Sequence, residues 1–233
     1  MSAGGLFART SEREEARSEK KSVRRAGGWN QEDFAREQIR GLVRQVFFSN
    51  VDRPVRQVVF TAVEPETDVR NICRQVGEAL ALETEESIAV VGEYPHILQD
   101  AETDEGMLGQ VAGDGSMPLR RDAIRLRGYL WLVAPAGKDG DRVTTALLHS
   151  YLSEIRREFE YSIVEGPPAP ESNQARAMAH FADGVVLVLS AHRTRRIMAL
   201  KIKQALEAAQ ARLLGTVLSE RVFPIPEAIY RRL

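Results

Sequence analysis

Six continuous apolar runs of strand length punctuate this chain: VVF at 58–60, IAVV at 88–91, YLWLV at 129–133, YSIV at 161–164, VVLVL at 185–189 and LLGTVL at 213–218. A strand with one face in water alternates apolar and polar residues, so unbroken runs describe strands covered on both faces, as in a parallel sheet. Parallel neighbours need crossover connections, and stretches of helical periodicity stand between several of the runs. Leu148, Tyr151, Leu152, Ile155 and Phe159 form one apolar stripe, and Met198, Ile202, Ala205 and Ala209 form another. Repeated strand–helix alternation predicts a three-layer α/β fold with a mostly parallel central sheet and right-handed crossovers, in which ligands gather at the carboxyl ends of the strands.

Ahead of the first run, Ile39, Leu42, Val43 and Val46 recur at i, i+3, i+4 and i+7, the face of an amphipathic helix, and a short linker with Asp52 and Pro54 follows. Residues 1–30 are rich in Ser, Glu, Arg and Gly without sustained apolar periodicity, and are expected to be disordered. Within them Lys20, Lys21, Arg24 and Arg25 form a small basic cluster with two readings, a solvated linker or an attraction to an anionic membrane surface. The stretch from Gln99 to Ser116 carries few apolar residues and many acidic or glycine positions, so it reads as a long surface loop. At 233 residues the remainder is long enough for one core, and residues 31–233 are expected to be one domain ending in a tail at 223–233.

Charge and composition remove several function classes. Lys+Arg 32 against Asp+Glu 33 leaves a formal charge of −1, so no global basic field argues for nucleic acid. No apolar run approaches the roughly 20 residues of a membrane-spanning helix, and no signal-peptide core opens the chain, so a cytoplasmic protein is expected. The sole cysteine, Cys73, allows neither an internal disulfide nor a multi-cysteine metal site. It shares a helical face with Ile72, Val76, Ala79 and Leu80, the setting of a buried structural thiol. His96, His149, His180 and His192 lack metal-ligand spacing, and no nucleophile–base arrangement is local in sequence.

The segment VVFTAVEPETDVRN at 58–71 reads as a strand, a turn and a helix, the place where a P-loop ATPase keeps its phosphate-binding loop. Such a loop needs glycines so that backbone N–H groups can crowd round phosphates, a lysine on the β/γ-phosphates and a hydroxyl on Mg²⁺. Asp68, Val69 and Arg70 stand there instead.

Three further segments carry a family resemblance: FEYSIVEGPP at 159–168, ADGVVLVLSAHRTRR at 182–196 and LLGTVLS at 213–219. In order and spacing they resemble the cytoplasmic ATPase domain of the bacterial tyrosine kinases of capsule and exopolysaccharide synthesis, a branch of the deviant-Walker group that contains MinD and ParA. The resemblance covers residues 37 to about 221 and implies a P-loop NTPase-like fold. FTAVEP at 60–65, with Thr61 and Pro65, is similar to the family's lead-in to Walker A, and QVGEALA at 75–81 to the helix that follows. Between those anchors the family's Gly-Lys-Ser/Thr falls on Asp68, Val69 and Arg70 without a change of length. Gly92 and Tyr94 occupy the two acidic positions of the Walker A′ motif, and Glu165 alone keeps an acidic residue at Walker B.

These departures have physical weight. Asp68 sets a negative charge where phosphate oxygens would come, and like charges a few Å apart repel by about 4 kcal/mol at an effective dielectric constant near 20. Lysine and metal supply most of the electrostatic stabilisation in phosphoryl transfer, and the ligands for both are lost. Glu165 has two readings, a strand-end carboxylate satisfied by backbone N–H groups or a residual metal ligand. Arg70 at a helix N-terminus could hold phosphate by itself, and Asp68, two residues away, is its expected ion-pair partner.

The helix EQIRGLV at 37–43 resembles the family's oligomerisation motif, with Glu37 and Arg40 matching and Val43 in place of the final Arg. The family's tyrosine-rich tail is absent; the chain ends in FPIPEAIYRRL, whose Phe223, Ile225 and Tyr230 would either complete the core or dock on a partner. The resemblance therefore implies a catalytically silent pseudo-ATPase that needs neither ATP nor Mg²⁺. Its place would be as an adaptor or regulator, held at the inner face of the membrane by a polysaccharide co-polymerase or chain-length regulator. A second copy or an active paralogue are further partners, and nucleic acid is not one. Two rivals stay open: a weakly active autokinase using Arg70 and Glu165 in a rewired site, and a MinD- or ParA-like positioning protein.

Overall fold

A computed structural model describes residues 31–49, 52–93, 118–121, 123–137, 143–170 and 172–221. The chain divides into two units, and one of them, Gln38–Val222, holds every strand. The other contributes only residues 31–37 to the described part, the first turns of helix α1, Gln31–Val43. Residues 1–30, the stretch 99–116, Tyr94 and the tail residues Phe223, Ile225 and Tyr230 lie outside the described residues.

Each apolar run forms a strand. These are β1 (Gln57–Ala62), β2 (Ile88–Val91), β4 (Leu130–Val133), β5 (Tyr161–Glu165), β6 (Gly184–Ser190) and β7 (Leu213–Ser219). They pair in parallel in the order β4-β2-β5-β1-β6-β7, and one further strand, β3 (Ile124–Arg127), is antiparallel to β4 at the edge. β3 was not foreseen because IRLR alternates, as an edge strand partly in water does, rather than running apolar throughout. It turns into β4 at Gly128, whose φ of +49° lies in the left-handed region that glycine enters without a Cβ penalty.

Successive strand residues point to opposite faces, so the unbroken runs feed two separate cores. On one face Val59, Val91, Val133, Val164 and Leu187 pack with Leu148, Leu152 and Ile155 of α4 (Thr145–Glu158). Met178 of α5 (Asn173–Phe181) and Ile202 and Leu206 of α6 (Arg196–Ala208) complete that cluster. On the other face Val58, Phe60, Val90, Ile163, Val186 and Val188 pack with Val43, with Phe47 of the π-helical turn Arg44–Phe48, and with Cys73, Val76 and Leu80 of α2 (Val69–Leu80). A short helix, α3 (Pro118–Arg121), precedes the hairpin. The expected stripe on α6 needs correction. Ile202 is buried, but Met198 is 37% exposed, and Leu206 rather than Ala205 or Ala209 is the second anchor.

Register then gathers the functional positions. Phe60 of β1 pairs with Glu165 at the end of β5, and Val91 of β2 with Val164, so the segments after β1, β2 and β5 leave the sheet side by side at its carboxyl edge.

Candidate functional site

The turn after β1 is tied down residue by residue. Val63 N–H donates to Val188 O at 3.1 Å, Thr67 N–H to Glu64 O at 3.1 Å and Val69 N–H to Thr67 O at 2.8 Å. Asp68 caps α2, its Oδ1 accepting from Asn71 N–H at 3.0 Å. That is the ordinary work of an N-cap carboxylate. Its consequence here is that two N–H groups of the first helical turn, which in a phosphate-binding loop would face the ligand, already have oxygen partners within the chain.

Val69, at the lysine position, is only 6% exposed and belongs to the core cluster with Cys73 and Val76. Arg70, at the hydroxyl position, reaches across the edge of the sheet. Its Nε donates to Glu165 Oε2 at 3.3 Å, and its Nη2 lies 3.7 Å from Glu93 Oε2. This corrects the expected pairing: Asp68 is turned onto its own helix, and the guanidinium lies between two carboxylates from β5 and the end of β2. Burial pushes the Glu165 carboxyl above the usual range, and the neighbouring Arg70 works against that rise. The cation that would balance Glu165 in an active site is thus replaced by a side chain of the protein.

Thr61 is fully buried, and its hydroxyl donates to Pro167 O at 2.6 Å, tying β1 to the turn after β5. That turn is close-packed. A Cβ on Gly166 would stand 3.2 Å from Phe60 O and 2.9 Å from Val59 Cγ1, so the position tolerates only glycine without movement. Gly92 donates its N–H to Val133 O at 3.1 Å and brings no side chain to the site, and Pro65 is exposed at the rim.

Between these segments lies a cavity of about 820 Å³. Arg70, Glu93, Glu165 and Thr67 line one part of it, and Leu148, Tyr151 and Met178 form an apolar wall. Tyr151 donates its hydroxyl to Ala134 O, and its pKa is raised by burial. Thr67 Oγ1 is buried and has no hydrogen-bond partner among the described residues. Glu93 was not legible as a site residue because it falls between the two acidic motif positions, Gly92 and Tyr94, and not on one. Thr67 carries no local signal, and Tyr151 reads from sequence only as part of the apolar stripe of α4. Among the described residues, no group of three or more His, Cys, Asp or Glu is arranged to hold a metal ion. Glu37 and Arg40 are both exposed on α1, remote in sequence from these segments.

A mostly parallel seven-stranded sheet with its cavity at the strand ends after β1, β2 and β5 is the architecture of the P-loop NTPase-like class. No protein-family model matches the chain. Its sequence is similar to tyrosine-protein kinase CpsD of Streptococcus agalactiae serotype III (strain NEM316), with 30% identity over 93 residues, 38% of this chain and 40% of that protein. Tyrosine-protein kinase YwqD of Bacillus subtilis (strain 168) is 22% identical over 192 residues, 78% of this chain and 80% of that protein. In fold it is similar to the kinase domain of Escherichia coli tyrosine kinase ETK, at a TM-score of 0.61 and 15% identity over 82% of this chain and 79% of that one. The MinD cell division protein of Aquifex aeolicus gives a TM-score of 0.52 and 16% identity over 70% of this chain and 68% of that one. In sequence the chain is thus similar to bacterial tyrosine-protein kinases, and in fold to their kinase domains and to MinD, the resemblance that the motif order implied.

Proposed function

We propose that this chain is a catalytically silent relative of the bacterial tyrosine kinases, acting as an adaptor or regulator in capsule or exopolysaccharide synthesis. The observation that carries the reading is the Arg70 guanidinium between Glu93 and Glu165. Transfer of a γ-phosphoryl group requires a lysine and a metal to neutralise the charge that develops on the phosphate oxygens. Here the lysine position is in the core, the hydroxyl that would hold magnesium is Arg70, and the surviving carboxylate is spent on that arginine. Nucleotide binding would have to displace a formed ion pair while bringing phosphate towards Asp68, Glu93 and Glu165, which disfavours the rewired-kinase rival.

Function on this reading lies in contacts. A protein without chemistry acts only through differential binding, and the natural partners are a membrane polysaccharide co-polymerase, an active kinase paralogue or a second copy. No helix among the described residues is long and apolar enough to cross a membrane, which suits a chain recruited to one by contact. The test is incubation of the purified chain with γ-labelled ATP and Mg²⁺ followed by phosphorimaging. The expected outcome is no label on the protein and no released phosphate. Magnesium-dependent label that disappears in Glu165→Ala would make the chain an enzyme and sink the proposal.

A further inference from the structure

Helix α6 carries an apolar surface that the core does not use. At 100° per residue its buried anchors Ile202 and Leu206 share one side, and Ile197, Leu200 and Gln204 fall on the opposite one. Ile197 is 68% exposed and Leu200 46%. Large apolar side chains on the solvent side of a helix that has already filled its core face have no role in folding.

The charges around them that lack an ion-pair partner among the described residues are of one sign. Arg195, Arg196 and Lys201 are exposed, and none has a carboxylate within ion-pair distance among the described residues. Arg193 and Lys203, by contrast, are taken up by Glu220 at 2.5 Å and Glu207 at 3.4 Å. No side-chain cap hydrogen bond is made at the start of α6, and the positive end of the helix dipole adds to the same field.

From this patch we infer that the first two turns of α6 form a docking surface for an anionic phospholipid bilayer. Cations attract the headgroup layer, and aliphatic tips enter the boundary below it; a lipid interface needs both kinds of residue in one place. Nucleic acid would use the cations but has no call for Ile197 or Leu200, because it is held by phosphate contacts and by bases stacked on aromatic rings. A second copy would set this basic surface against another like it. The inference does not depend on whether the site at the strand ends is silent.

The test is co-sedimentation of the full chain with phosphatidylcholine vesicles and with mixed phosphatidylcholine/phosphatidylglycerol vesicles. Binding to the mixed vesicles is expected to be stronger by about tenfold or more, since each cation near such a surface contributes roughly a factor of five, and to weaken with added salt. Ile197→Ser with Leu200→Ser should lower it by about tenfold, and separately Arg195→Gln with Arg196→Gln and Lys201→Gln by about a hundredfold at low salt. Both sets replace exposed residues, so melting temperatures should stay at the wild-type value. Changing Lys20, Lys21, Arg24 and Arg25 to Gln should leave binding in place. Equal sedimentation with both vesicle types would overturn the inference. So would loss confined to the Lys20–Arg25 variant, or a gel shift of duplex DNA, indifferent to the Ile197/Leu200 change, without vesicle binding.

Discussion

At the residue scale, Arg70 determines how the strand-end carboxylates are balanced. A half-buried Glu165 with its cation gone would be costly to keep ionised, and Arg70 fills that need from within the chain. Because burial dominates and the folded-state pKa of Glu165 is raised, the folded state binds its proton more readily than the unfolded one. Its ionisation therefore costs stability as pH rises through the raised value, and the cost is relieved as pH falls. Removing Arg70 takes away the opposing influence and moves that pKa higher still. Arg70→Ala should accordingly destabilise by roughly 1 kcal/mol at pH 7.5, a modest figure because the pair is partly solvated, and by less at pH 5. Urea unfolding at the two pH values checks this; an equal loss at both would mean that Arg70 acts through packing rather than through Glu165. Thr67 offers a second residue-scale test. A buried hydroxyl without a partner is a cost, so Thr67→Val should raise stability by about 1 kcal/mol. A drop in melting temperature would indicate an undetected partner for that oxygen.

Among the elements, α2 joins the candidate site to the core. It follows β1 as a phosphate-binding helix would, and its inner face of Cys73, Val76 and Leu80 is fully buried. Its approach to the sheet is set at Gly77, where a Cβ would stand 2.4 Å from Val90 Cγ2 and 3.2 Å from Leu130 Cδ1. Alanine raises helix propensity by up to about 1 kcal/mol, but a β-branched neighbour on a rigid strand yields little, and overpacking costs about 1–3 kcal/mol. Gly77→Ala should therefore be net destabilising by about 1 kcal/mol, with the loss reduced when Val90→Ala is added. Thermal unfolding of the two single variants and the pair measures that coupling; additive losses would place the strain elsewhere.

At the scale of the molecule, the scaffold and the site separate cleanly. Two cores cover the sheet on both faces, and of residues 66–70 in the turn after β1 only Val69 belongs to either, so the other four can change while the fold stays. The combined change Glu66→Gly, Asp68→Gly, Val69→Lys and Arg70→Ser removes the cap, frees Glu165 and restores a lysine and a hydroxyl. Mg-ATP affinity should rise by roughly tenfold or more, from two regained charge-assisted contacts. The recovery stays partial because Gly92 still lacks a carboxylate. Isothermal calorimetry on a variant shown to be folded decides it, and an absence of heat would mean that the cavity no longer accepts a nucleotide.

The six parallel strands and their helical connections were legible in the chain because burial on both faces leaves unbroken apolar runs, a signal local in sequence. β3 was not, since an edge strand half in water writes an alternating and therefore weak pattern. That Asp68, Val69 and Arg70 stand where a phosphate-binding loop would have its lysine and hydroxyl was equally legible, since such a loop is one continuous segment. What replaced it was invisible. Arg70 and Glu165 are 95 residues apart and meet only because parallel pairing brings the ends of β1 and β5 together. Asp68, nearer in sequence, is withdrawn by the N–H of Asn71. Residue type and spacing determined which groups stand at the strand ends; pairing across the sheet decided which of those charges neutralise one another, because ion pairs form by distance in space and not by distance along the chain.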